Sequence, residues 1–136
     1  MTRALSVDFG GKRIGVAVGE TGAKVATARP NIEASGTLAK DAQAIFALAA
    51  KEGADVIVVG LPTDADGETK MSRVCRKLGE SIAALGARVA YIDEAFTSAE
   101  AERDMVEVGL KGSERRKRSD GEAACRILER YFDQEA

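Results

Sequence analysis

The sequence predicts an α/β domain built on a mixed five-stranded sheet, and three observations carry that prediction. Apolar runs at residues 4–8, 13–19 and 24–29 follow one another with only turns between them. That pattern marks an antiparallel meander. Two later runs, at 55–60 and 88–93, are each preceded by a stretch of helical apolar spacing. Helices between strands make parallel crossovers, which place the later strands beside the first. The run Asp55-Val56-Ile57-Val58-Val59-Gly60 is apolar without alternation, as expected of a strand buried on both faces.

Each element has its own signal. The weak third strand is expected to end at Pro30, because proline cannot donate to a ladder. A helix over 37–52 follows from Leu38, Ala42, Ile45, Phe46 and Ala49 at helical spacing, closed by Gly53. Residues 61–67 read as a loop, and Asp64, Asp66 and Glu68 as solvated acids. A second helix over 69–85 turns Met71, Val74, Cys75, Leu78, Ile82 and Leu85 to one side, with Gly86 as its cap. Capping-box patterns at Thr97/Glu100 and Ser119/Glu122 open two further helices, over about 97–108 and 120–133. The basic segment between them reads as loop. Residues 1–136 then form one domain with helices on both faces of the sheet.

Composition narrows the chemistry. The 136 residues are 45% hydrophobic and 31% charged, enough for one soluble core. No apolar run reaches the roughly 20 residues that span a bilayer. Asp8 interrupts the apolar region a signal peptide would need, so a cytoplasmic location with no membrane partner is expected. Cys75 and Cys125 belong to no C-x-x-C pattern and read as reduced thiols, with a crosslink as the alternative. The chain has no histidine. That excludes Ser-His-Asp and Cys-His catalysis and His-ligated zinc. Any metal must be held by oxygen ligands, which favours Mg²⁺ or Mn²⁺. The net charge is −2, yet Lys111-Gly112-Ser113-Glu114-Arg115-Arg116-Lys117-Arg118 concentrates five cations. Such a patch can contact phosphates locally or be only a solvated loop.

The acids collect at strand ends. Asp8 ends the first strand, and Asp93 and Glu94 end the last. Ligands in such sheets gather outside the carboxyl ends of strands. With one strand between them, these backbones stand roughly 9–10 Å apart, and two metals about 3.5–4 Å apart would fit between their side chains. The Gly10-Gly11 turn with Lys12 and Arg13 leaves room for a phosphate or metal. Asp8 could instead serve the turn, and Asp93-Glu94 a helix dipole. On spacing alone Asp120 is structural, an ordinary acid in a first helical turn.

Four motifs together resemble the YqgF family (also called RuvX), Holliday-junction-resolvase-like members of the RNase H-like superfamily. They span about residues 4–133. Asp8-Phe9-Gly10-Gly11-Lys12-Arg13-Ile14-Gly15-Val16-Ala17 resembles the family's D-x-G-x-K-R-I-G-V-A. Val58-Val59-Gly60-Leu61-Pro62, with Asp66-Gly67, resembles V-V-G-L-P and D-G. Asp93-Glu94-Ala95-Phe96-Thr97-Ser98-Ala99-Glu100-Ala101 resembles D-E-R-L-T-T-x-E-A. Ser119-Asp120 with Ala123-Ala124 resembles V-D-x-x-A-A.

The resemblance implies an RNase H-like fold and a metal-dependent nuclease with Asp8, Glu94 and Asp120 as catalytic and metal-binding acids. It raises Asp120 from structural residue to ligand. It implies nucleic acid as partner: precursor 16S rRNA at its 5′ end, or branched DNA. A resolvase would be a symmetric homodimer. In the implied two-metal hydrolysis, Asp8 bridges both ions and Glu94 and Asp120 hold one each. Ala95-Phe96 departs from the family's Arg-Leu, and Phe9 from its small residue or proline. The lost arginine could have bound the scissile phosphate. Lys12, Arg13 and the basic segment Arg115, Arg116, Lys117 and Arg118 are the candidates to replace it. Two rivals of other classes remain: an ATP-binding lobe with a related Asp-x-Gly loop, and a catalytically silent nucleic-acid-binding domain.

Overall fold

The computed structural model describes residues 2–10, 12–64, 67–93 and 112–135, with backbone alone at residues 64, 112–120 and 135. Strands β1 (Arg3–Phe9) and β2 (Arg13–Glu20) pair antiparallel, from Arg3↔Glu20 to Phe9↔Ile14. Their alternation sorts side chains by size. Leu5, Val7, Ile14, Val16 and Val18 share one core cluster, while Ala4 and Ala17 belong to the other.

Strand β3 (Val25–Glu33) pairs antiparallel with β2, and it runs through Pro30 rather than ending there. The register explains why. Ile14 pairs with Ile32 but Val16 with Arg29, so β3 carries one extra residue at this point. Proline is tolerated at a bulge on an edge strand, where no ladder bond is needed from its nitrogen.

Helix α1 (Leu38–Glu52) ends at Gly53, whose φ of 71° lets its N–H reach the Ala49 and Ala50 carbonyls. Strand β4 (Val56–Leu61) is buried along its whole length. The segment expected to be a loop holds a small antiparallel ladder, β5 (Thr63–Asp64) with β6 (Gly67–Glu68). Helix α2 (Lys70–Ala84) starts from a capping box in which Thr69 and Ser72 exchange side chain-to-backbone bonds. Strand β7 (Val89–Asp93) follows.

Strands β1, β4 and β7 are mutually parallel, and the sheet order is β3-β2-β1-β4-β7. This is the mixed sheet the sequence predicts. Helix α3 (Gly112–Glu135) differs from expectation. The segment 112–118 is helix, and Ser119 lies inside α3 rather than capping it. Glu114, Arg115, Arg116, Lys117 and Arg118 are straight-chain helix formers. The Ser119/Glu122 pattern marks a helix start only where the chain before it is not helical. The helix expected over about 97–108 lies outside the described residues.

Helices α1 and α2 cover one face of the sheet, over Leu5, Val7, Ile57 and Val59. Helix α3 covers the other, setting Ala124, Ile127, Leu128, Tyr131 and Phe132 over Ala4, Ala17, Val56, Val58 and Ile92. Contact is close where side chains are small. A Cβ at Gly79 of α2 would stand 2.4 Å from the Tyr91 hydroxyl oxygen, so only glycine admits that ring.

Candidate active site

Asp8 is the penultimate residue of β1 and is only 7% exposed. Period-two alternation puts it on the same face as Ser6, toward α3. The Ser6 hydroxyl donates to the Ala124 carbonyl at 2.6 Å, fixing α3 against β1. Residue 120 is one helical turn before Ala124, and Asp8 is two residues after Ser6. The turn of α3 that carries residue 120 precedes the one fixed on β1, and Gly121 beside it meets Ala28 of β3. The Asp120 side chain itself lies outside the described residues.

The last strand approaches the same edge. Val7 pairs with Val59, and Val59 with Tyr91. Asp8 is therefore level with Gly60 and Ile92, and Asp93 is one residue further on. With β4 alone between them, β1 and β7 stand roughly 9–10 Å apart, the spacing expected from sequence. The Arg130 side chain of α3 donates to the Asp93 carbonyl at 2.7 Å and anchors the end of β7. Glu94, the next residue, lies outside the described residues.

The two cations of the first turn flank this edge. The Gly10 N–H donates to the Arg13 carbonyl at 3.0 Å, closing the hairpin, and the Ala34 N–H donates to the Lys12 carbonyl at 2.9 Å. Lys12 and Arg13 border a shallow cavity of about 430 Å³ with Glu33 and Ala34. Arg13 also borders a larger groove of about 580 Å³ between β3 and α3. Its other lining residues include Ala28, Pro30, Asn31 and Gly121, none of which the sequence singles out as a site residue. Their only signal in the chain is the proline, which reads as a strand end. Arg115, Arg116, Lys117 and Arg118 are carried on helical backbone, two turns ahead of that groove at most.

The remaining sequence candidates are structural. Glu68 pairs with Arg76, and Arg76 lies over the Tyr91 ring, 5.4 Å from its centroid. That contact ties β6 and α2 to β7. Pro62 offers its carbonyl to the Thr69 hydroxyl at 2.7 Å. Cys75 packs on the α1/α2 side of the sheet and Cys125 on the α3 side, so no bond joins them within the chain. Burial, then Glu129 and Glu122, push the Cys125 thiol up to about 11, which leaves it protonated and unreactive at neutral pH.

Of the three acids that the family motifs mark, Asp8 is the one whose side chain is described, and a carboxylate oxygen is a donor that suits a hard cation. A carboxylate that is nine-tenths buried needs positive charge or donors beside it, and a chain without histidine offers oxygen ligands.

Comparisons with known proteins give the family and the fold. A family model described as "RuvX: Holliday junction resolvase" matches residues 2–134. The chain belongs to this family. A protein of Thiobacillus denitrificans named "Putative pre-16S rRNA nuclease" is 40% identical over 131 residues, covering 95% of this chain and 90% of that protein. A protein of the same name from Dechloromonas aromatica is 38% identical over 135 residues, covering 98% and 92%. Among solved structures, Thermus thermophilus RuvC in complex with a Holliday junction substrate superposes with a TM-score of 0.58 at 12% identity. It covers 99% of this chain and 96% of that one. Thermus thermophilus RuvC alone gives 0.53 at 12% identity, covering 98% and 95%. At that identity the likeness establishes the fold, which is RNase H-like as the sequence motifs imply.

Proposed function

We propose that this RuvX-family chain is a divalent-metal-dependent nuclease that hydrolyses phosphodiester bonds at the 5′ end of precursor 16S rRNA. The observation that carries the reading is Asp8: a buried carboxylate at the carboxyl edge of the sheet, one strand away from the end of β7. The relatives named as pre-16S rRNA nucleases favour the rRNA substrate. In this reading Asp8, Glu94 and Asp120 hold Mg²⁺ or Mn²⁺. When bound, the metal supplies Lewis-acid activation of the attacking water and charge for the leaving oxygen. Lys12 and Arg13 hold the phosphates of the substrate strand, and Arg115, Arg116, Lys117 and Arg118 extend that contact along α3. The chain acts as a single domain in the cytoplasm. Among the described residues no helix is long and apolar enough to cross a membrane.

The RuvC likeness supports a second reading, a homodimeric resolvase cutting branched DNA. One experiment chooses. Wild type and Asp8→Asn are incubated with Mg²⁺ or Mn²⁺ and with precursor 16S rRNA fragments, single-stranded RNA, duplex DNA or a four-way junction. Cleavage of precursor rRNA by wild type alone supports the first reading, and junction cleavage by wild type alone the second. Equal cleavage by both proteins, or none by either without metal binding, removes the nuclease site and leaves a binding domain.

A further inference from the structure

Apart from Arg13, the groove between β3 and α3 is lined by residues that the proposed hydrolysis does not use. Ala28 of β3 and Gly121 of α3 both line it. A Cβ at Gly121 would stand 3.3 Å from the Ala28 Cβ, so the two small residues meet and leave a flat apolar surface. Pro30 forms a wall at the bulge of β3. Having no N–H, and sitting at a bulge, it makes this edge a poor template for a further strand. Asn31 brings an amide with both donors and an acceptor. Arg13 stands at the end toward the Gly10 turn, and its carbonyl closes that turn two residues beyond Asp8.

Size and charge select an occupant. About 580 Å³ lies within the range of small-ligand pockets, and a duplex is far too wide to enter it. A flat apolar floor suits the face of a base, an amide suits its edge, and a guanidinium suits the adjoining phosphate. Positions 117 and 118 lie one turn before Gly121 and Glu122 on the same helix, so a cationic stretch of α3 leads to the groove. The lining itself is balanced, Arg13 and Arg29 against Glu33 and Glu122, so the positive excess that suits a polyanion comes from positions 117 and 118 of α3, a lysine and an arginine.

We propose that this groove holds one unpaired nucleotide of the substrate strand, next to the bond that the Asp8 edge cleaves. The inference rests on the nuclease reading and narrows it to single-stranded substrate at this position. It adds Ala28, Pro30, Asn31 and Gly121 as the residues that position that strand.

The test is binding measured without chemistry. Fluorescence anisotropy of a short labelled single-stranded RNA, in EDTA, is compared for wild type, Ala28→Glu, Asn31→Ala and Val25→Glu. Val25 is exposed on the same strand and does not line the groove. Ala28→Glu fills the groove with a negative charge and is expected to weaken binding about tenfold. Asn31→Ala removes one amide without filling it and is expected to weaken binding about threefold; it carries the test should Ala28→Glu lower Tm. Val25→Glu is expected to leave binding unchanged, and duplex RNA of the same sequence to bind more weakly to wild type. Unchanged affinity in both groove variants overturns the proposal. So does an equal loss in Val25→Glu, or duplex binding as tight and as sensitive to Ala28→Glu. Asp8→Asn separates the two readings. If it cleaves like wild type the nuclease site is wrong, whatever the groove binds; if it binds RNA without cleaving, the nuclease site stands and the groove is judged on its own variants.

Discussion

The two faces of the sheet are packed by different means. Toward α1 and α2, β1 and β2 present Leu5, Val7, Ile14, Val16 and Val18, all buried. Toward α3 the same strands present Ala4, Ser6, Asp8, Gly15, Ala17 and Gly19. A layer of large branched side chains holds helices off the sheet and contributes most of the apolar burial. A layer of small residues lets a helix approach closely enough for the Ser6 hydroxyl to reach the α3 backbone. It also leaves room for an acid at the edge. The proposed chemistry lies on the α3 face and the layer of large branched side chains on the other, so substitutions on the two faces should fail differently.

The largest effect is expected from Asp8→Asn on the α3 face. A metal-site ligand contributes several kcal/mol to the barrier, so cleavage should fall by about 10³-fold. Tm in the absence of metal should stay within a few degrees of wild type. A variant that unfolds instead would make Asp8 a structural residue.

Leu78→Ala on the opposite face should behave in the reverse way. Leu78 is fully buried in the α1/α2 cluster, and its truncation costs about 2–5 kcal/mol. Thermal unfolding should shift strongly, while cleavage per folded molecule is unchanged. If Leu78→Ala lost activity without losing stability, the division between the faces would fail.

Ser6→Ala sharpens the comparison because it sits on the α3 face without touching substrate. Losing the 2.6 Å bond to the Ala124 carbonyl should cost about 1 kcal/mol. Cleavage should fall modestly, through the placement of α3, with the larger change in kcat.

The smallest effect lies at the far end of the sheet. Glu52 accepts from Arg29 and Arg3, and the Arg29 bond leads in holding its carboxyl below the usual range. A lowered folded-state pKa adds stability above the usual carboxylate value, and that stability is lost as pH falls through the lowered one. Glu52→Gln should thus cost about 1 kcal/mol or less at neutral pH. The difference from wild type should shrink as pH falls below the usual value of 4.5 and vanish once the native carboxylate is protonated. Denaturant titrations at neutral and at acid pH would measure it.

Much of this division is legible in the amino-acid sequence itself. Alternation in β1 and β2 separates large from small residues, and the apolar run of β4 reports burial on both faces. The helical crossovers then place β7 one strand from β1, which brings Asp93 to the edge where Asp8 emerges. Two features are hidden because they depend on partners. Pro30 reads as a stop until the register with β2 shows the bulge that accommodates it. Ser119 and Glu122 read as a helix start because the pattern is local, whereas α3 begins at Gly112 on strong helix formers. Pro30 and Glu122 both line the same groove, which is why the chain alone does not reveal it. Asp120 is legible only through the family motif, since an acid in a first helical turn has an ordinary explanation.

If Asp8, the acid on the small-residue face, holds a catalytic metal ion, the ion should bind the protein without substrate. A calorimetric titration of Mn²⁺ into wild type and Asp8→Asn tests it most directly. Wild type should bind saturably, and a folded Asp8→Asn protein should not bind. Equal binding to both, or none to wild type, would contradict it.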